Sequence, residues 1–180
     1  MTGDPSVDGV PVVHARRDGA TTVNLMFRVG QADESLAQRG TTHLLEHLAL
    51  FPLGIRDHHS NGQTGLHVTN FHATGSPAEV TSFLASLCEA ISDPPMDRIP
   101  QERGVLRTEA AHRAGWSFGE LAIWRHGTRN EGAAGYPEWG LEAVTADEVA
   151  AWRDRYFTAD NCVLVVVGPS VPDDLRLRLP

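Results

Sequence analysis

The order of hydrophobic patterns along the chain is the feature that most limits its fold. Strand-like runs come first, at residues 12–16 and 21–30; helical spacing then dominates, and a continuous apolar run returns at residues 161–167. Sheets and helices bury their apolar faces against each other. The pattern therefore predicts an α+β two-layer domain, in which helices pack on one face of a mixed, mostly antiparallel sheet.

Local signals refine this prediction. Asp18-Gly19 between the first two strands is typical of a β-hairpin, and residues 66–73 form a further candidate strand. Capping boxes begin helices at Ser76 and Thr145. The predicted helices span about residues 42–50, 77–92, 100–114, 117–127 and 146–157.

Length and charge exclude several classes of protein. The 180 residues fit one domain, residues 1–180, with a core at about 10–168 and a tail or linker at 169–180. The formal net charge of −8, without a basic run, argues against a nucleic-acid partner. No apolar run is long enough for a membrane span.

The expected compartment is the cytoplasm. The first 20 residues contain Asp4, Asp8 and Asp18 and lack the apolar segment of a secretory signal. Cys88 and Cys162 both lie in apolar stretches, so we expect two buried free thiols, although the sequence leaves a disulfide open.

The segment His43-Leu44-Leu45-Glu46-His47 places two histidines four residues apart on a predicted helix. Side chains at that spacing share one face, and two imidazoles bonding at about 2.0–2.1 Å suit zinc. Glu46 neighbours this face, where a carboxylate that is not a ligand can take a proton from metal-bound water. The order His-x-x-Glu-His is the inverzincin signature. Two incidental histidines on a helix are the alternative.

A catalytic zinc site needs a third protein ligand, for which we select Glu109. Glu102 precedes it by two helical turns on the same face and would orient a ligand imidazole. The alternative for both glutamates is that they lie on an ordinary solvent-exposed helix face. The spacing also leaves His112, Asp57 and His58 open as ligands.

Several motifs together resemble the pitrilysin/insulinase family of metallopeptidases, which includes the mitochondrial processing peptidase. The resemblance covers about residues 10–168. Its motifs are Gly30 with Ala32-Asp33-Glu34, Gly40 and Thr42 before the histidine motif, Asn61-Gly62-Gln63-Thr64, Glu102 with Val105-Leu106 and Glu109, Tyr136-Pro137-Glu138-Trp139-Gly140, and residues 145–168.

The resemblance implies an N-terminal catalytic-type domain that holds Zn²⁺ through His43, His47 and Glu109. The family's spacing from the second histidine to the third ligand is longer than in this chain, which fits a shortened segment between Leu50 and Asn61. Family members enclose substrate between two homologous halves. We therefore expect a second half-domain, a partner subunit or a homodimer, and little activity from this half alone.

The predicted function is a zinc-dependent endopeptidase that hydrolyses extended peptides by a metal-activated water, with Glu46 as general base. The peptide substrate would add as a strand beside residues 66–73, with Asn61 and Thr64 holding that edge. An ordinary Asn-Gly turn explains those two residues equally well. The alternative function is a non-catalytic scaffold or peptide-binding subunit of the same family.

Overall fold

The computed structural model describes residues 5–54, 59–112 and 117–180 of the chain. Within these residues lie β1 (Ser6–Val7), β2 (Val10–Arg16), β3 (Thr21–Phe27), β4 (Ser60–Thr64), β5 (Thr69–Gly75) and β6 (Cys162–Gly168). The helices are α1 (Thr41–Leu50), α2 (Pro77–Ser92), α3 (Ile99–His112), α4 (Ser117–His126) and α5 (Ala146–Tyr156).

The strands form one sheet in the order β1-β2-β6-β3-β5-β4. β2 and β6 run parallel, and the other neighbouring strands run antiparallel. The predicted α+β two-layer domain with a mixed, mostly antiparallel sheet is therefore confirmed. Over the described residues, the helical predictions agree with the structure to within two residues at each end, and the predicted end of the third helix, at residue 114, lies outside these residues.

The core lies between one face of the sheet and the helices. Burial alternates along β3 and β6, because successive side chains of a strand point to opposite faces. The C-terminal segment also contributes Leu175 and Leu177 to this core, although its sequence shows no strong pattern. The buried sheet residues include Val23, Leu25, Phe27, Phe71, Leu164 and Val166.

The hairpin predicted at Asp18-Gly19 is wrong. The turn is present, with Gly19 in the left-handed region at φ +108°, but β6 lies between β2 and β3 and pairs with both. A strand that is paired on both sides gains the burial that an apolar run such as residues 162–167 needs. The free energy gained by burying this strand therefore decides the strand order, although the local turn signal favours a hairpin.

The segment at residues 66–73 is not an edge of the sheet, so this prediction is also wrong. β5 begins at Thr69 and is paired on one side by β3 and on the other by β4. The strand at this edge of the sheet is β4, whose Asn61-Gly62 sequence suggests a turn. Gly62 serves instead to let the strand pass close to α1.

Both cysteines are buried and free. Burial raises the pKa of each thiol, Cys88 and Cys162, to about 12. A thiol with so high a pKa is inert at neutral pH, so we assign these residues to packing. Among the described residues, every helix is too short or too polar to cross a membrane.

Candidate metal centre

Helix α1 is buried along its whole length, and Glu34 holds its beginning in place. The Glu34 carboxylate accepts hydrogen bonds from the backbone N–H of Gly40 at 3.0 Å and of Thr42 at 2.7 Å. Its third partner is the guanidinium of Arg39, at 2.5 Å. Burial raises the pKa of the Glu34 carboxyl, while Arg39 and these N–H groups act in the opposite direction. This cap fixes the helix that carries both histidines.

His43, His47 and Glu109 bring three candidate ligand atoms together between α1 and α3. The Glu109 carboxylate oxygens lie 3.6 Å from His43 Nε2 and 3.6 Å from His47 Nε2. One ligand atom from each residue lies within 4.8 Å of the others. A tetrahedral zinc site with bonds of about 2.1 Å separates its ligands by about 3.4 Å. The chemistry and the spacing of these donors therefore fit a zinc ion.

The structure describes one of the other sequence candidates for a third ligand, His112. Asp57 and His58 lie outside the described residues. His112 is exposed, and its Nδ1 lies 2.7 Å from the carbonyl oxygen of Thr108. Of the described candidates, Glu109 is the one whose carboxylate reaches both histidines.

Glu46 lies beside the trio and is nearly buried, with 7% of its side chain exposed. Its Oε2 is 3.8 Å from His43 Nε2. Strand β4 passes so close that a Cβ at Gly62 would lie 2.7 Å from Glu46 Oε1 and 2.7 Å from Leu50 Cδ1. The carboxylate is thus held between helix and strand, next to the point where the candidate ligands converge.

Each imidazole also has a carboxylate at its other nitrogen. Glu102 Oε2 lies 3.2 Å from His47 Nδ1, which is the contact that its predicted orienting role requires. Glu138 Oε1 lies 3.0 Å from His43 Nδ1. The sequence alone indicates no role for Glu138. Its motif at residues 136–140 was the available signal, but no local pattern relates it to a helix 95 residues away.

A cleft of about 1170 Å³ is lined by the three candidate ligands, by Glu46 and by Glu138. Asn61 and Thr64 line it from β4, and Glu120 lines it from α4. The Asn61 side chain is turned onto its own strand, where Oδ1 accepts a hydrogen bond from Gly62 N at 2.9 Å. The substrate contact predicted for Asn61 and Thr64 stays a prediction.

No protein-family model matches the chain, and no curated protein matches it in sequence. Solved structures do match. The ferredoxin protease FusC, solved as a mutant in complex with Arabidopsis ferredoxin, has a TM-score of 0.77 at 15% identity over 95% of this chain. Pitrilysin has a TM-score of 0.76 at 17% identity over 100% of it. The first half of the periplasmic protease PqqL from Escherichia coli has a TM-score of 0.72 at 18% identity over 94%.

These similarities establish that the chain has the fold of a domain found in pitrilysin-like peptidases. The chain spans 22% of the FusC chain, 24% of the pitrilysin chain and 42% of the PqqL half. It therefore corresponds in length to one part of each of these proteases.

Proposed function

We propose that the chain is the metal-binding half-domain of a zinc-dependent endopeptidase of the pitrilysin/insulinase type. The observation that carries the proposal is the convergence of His43, His47 and Glu109 beside the nearly buried Glu46. The fold shared with pitrilysin and the other proteases supports it. When bound by these three residues, zinc would supply a Lewis acid and lower the pKa of water to about 7.

Glu46 is the proposed general base. A carboxylate in this position takes a proton from the attacking water and later delivers it to the leaving amine nitrogen. The distance of 3.8 Å from Glu46 Oε2 to Nε2 of the candidate ligand His43 supports this role, and Glu109 is the proposed third ligand. The contact with Gly62 limits the directions in which the Glu46 side chain can turn.

The proposed substrate is an extended peptide that pairs with β4. In the described part of the sheet, β4 is paired on one edge by β5 and by no strand on the other. An added strand forms main-chain hydrogen bonds with such an edge and makes few demands on sequence. Because Gly62 lies against Glu46, a peptide on this edge would pass the proposed base.

We propose that activity needs a second half, which is a homologous half-domain, a partner subunit or a second copy of the chain. The Glu109 side chain is 43% exposed, so one wall of the site faces solvent in this domain. Closing a site excludes water and orients the substrate, and both effects raise the rate of hydrolysis.

The Glu46→Gln variant tests the proposed chemistry in the protein isolated with its second half. Hydrolysis of an unstructured peptide should fall by about 100-fold or more, while zinc content stays at the wild-type level. Glu120→Gln is the matched control, because Glu120 is exposed in the same cleft and has no proposed chemical role.

Two results would contradict the proposal. Undiminished hydrolysis by the Glu46→Gln variant would remove Glu46 as the base. A wild-type protein that binds peptide and its second half, yet neither binds zinc nor hydrolyses peptide, would instead be a scaffold or peptide-binding subunit.

A further inference from the structure

We infer that Glu138 is a positioning residue for His43, an inference that rests on the proposed zinc site. Its side chain is 7% exposed, and Oε1 lies 3.0 Å from His43 Nδ1. An ionised carboxylate only accepts hydrogen bonds, so Nδ1 carries the proton in this contact. The proton on Nδ1 leaves the lone pair of the neutral ring on Nε2, which lies 3.6 Å from Glu109.

A buried ion pair holds the segment that carries Glu138. Arg39 Nη2 donates to the carbonyl oxygens of Ala134 at 3.4 Å and Tyr136 at 3.3 Å. Arg39 is itself paired with Glu34, and the two side chains are 3% and 1% exposed. Since Glu34 also caps α1, one pair fixes both the helix that bears His43 and the loop that bears its partner.

Two glycines bring this loop directly onto the start of α1. A Cβ at Gly40 would lie 2.9 Å from the Cβ of Glu138 and 2.6 Å from Leu141 Cγ. A Cβ at Gly140 would lie 2.6 Å from the carbonyl oxygen of Ala37. Because the loop packs so closely against the start of α1, the distance between the Glu138 backbone and His43 is fixed. This packing holds Glu138 Oε1 within hydrogen-bonding distance of His43 Nδ1.

The two histidines thus obtain their orientation from different parts of the chain. Glu102, on α3, faces His47, and the same helix supplies the candidate ligand Glu109. Glu138 comes from the loop before α5 and faces His43. A carboxylate that orients a ligand histidine in this way typically changes metal affinity by about 10–100-fold.

The experiment compares zinc affinity in the wild type, Glu138→Leu and Glu138→Gln by competition with a chromogenic chelator. Glu138→Leu should bind zinc about 10–100-fold more weakly. Glu138→Gln should recover part of that loss, because its amide oxygen can still accept the Nδ1 proton. Glu142→Gln is the control, since it removes the same charge from an exposed position four residues on.

Proton NMR of the zinc-loaded proteins supplies a readout that a general loss of stability would not produce. The wild type and Glu138→Gln should each show a slowly exchanging imidazole N–H of His43. In Glu138→Leu this N–H should exchange rapidly with water, while the far-UV circular dichroism of the protein stays unchanged.

The outcomes separate this inference from the proposed function. A wild type that binds zinc tightly, together with a Glu138→Leu variant of equal affinity and an unchanged His43 N–H signal, would overturn the role of Glu138 alone. A folded wild type that binds no added zinc would overturn the proposed function and, with it, this positioning role.

Discussion

A single glycine determines how closely β4 approaches Glu46. A methyl group at Gly62 would meet the ends of two side chains, Glu46 and Leu50, rather than backbone. We therefore expect Gly62→Ala to fold and to keep its zinc, but to displace the Glu46 carboxylate. In the protein isolated with its second half, kcat for peptide hydrolysis should fall by at least about 10-fold, as expected for a displaced general base.

The matched glycine substitution is Gly104→Ala. Gly104 is exposed in α3, and a Cβ there has nothing within 4 Å. Alanine at this position should leave kcat unchanged and raise the free energy of unfolding by about 0.5–1 kcal/mol. Equal values of kcat for the two variants would contradict the role given to the contact between Gly62 and Glu46.

The buried pair of Glu34 and Arg39 leads to a prediction about stability. Glu34→Gln removes the charge that balances a guanidinium whose side chain is 3% exposed. Breaking a buried pair in this way costs about 3–5 kcal/mol of unfolding free energy, because the remaining charge is uncompensated. Urea unfolding should show this loss. In contrast, Glu142→Gln breaks an exposed pair with Arg107 and should cost about 1 kcal/mol or less.

At the scale of elements, the capping boxes of α2 and α5 give a prediction about pH. Hydrogen bonds from the backbone and side chain of Ser76 lower the pKa of Glu79 from 4.5. Above pH 4.5 the carboxylate is ionised in both states, and its contribution to stability is complete. As the pH falls, the unfolded chain takes up the proton first, so the contribution is lost progressively until the folded carboxyl is also protonated.

The measurement is the difference in unfolding free energy between the wild type and Glu79→Gln as a function of pH. The difference should be largest near neutral pH and should shrink below pH 4.5. Glu148, which forms the same bonds with Thr145 in α5, should behave alike. Glu89→Gln provides the control, since Glu89 is exposed in the last turn of α2. A difference that grows on acidification would contradict the assignment.

Elements with strong local signals were predicted correctly from the sequence. Ser76 and Thr145 each accept the predicted capping hydrogen bond, and the histidine motif lies on the expected helix. Glu102 and Glu109 also lie on one helix, as their spacing of seven residues predicted. These inferences depend on residues within a few turns of one another.

The incorrect or missing inferences depend on contacts between distant parts of the chain. The insertion of β6 between β2 and β3 joins segments about 150 residues apart. A local turn signal such as Asp18-Gly19 carries no information about a pairing at that distance. The position of β4 at the sheet edge depends on the close passage of Gly62 past α1. Glu138 likewise reaches His43 because Arg39 and two glycines hold its loop, which only the folded structure reveals.

At the scale of the whole molecule, we expect the purified chain alone to hydrolyse unstructured peptides slowly. The side chain of the third candidate ligand, Glu109, is 43% exposed, and the chain spans 22% of the FusC chain and 24% of the pitrilysin chain. Addition of the second half should raise kcat/KM without changing the number of zinc ions per chain. Robust turnover by the monomer, equal to that of the assembled protein, would contradict this expectation.

The central claim is that this chain by itself forms a complete three-ligand zinc site, and elemental analysis tests it most directly. We predict one zinc per chain in the wild type, a strongly reduced content in Glu109→Gln, and the wild-type content in Glu120→Gln, whose side chain lies in the same cleft. A folded wild type that remains free of zinc after metal addition and removal of excess, or a Glu109→Gln variant that retains its zinc, would contradict the claim.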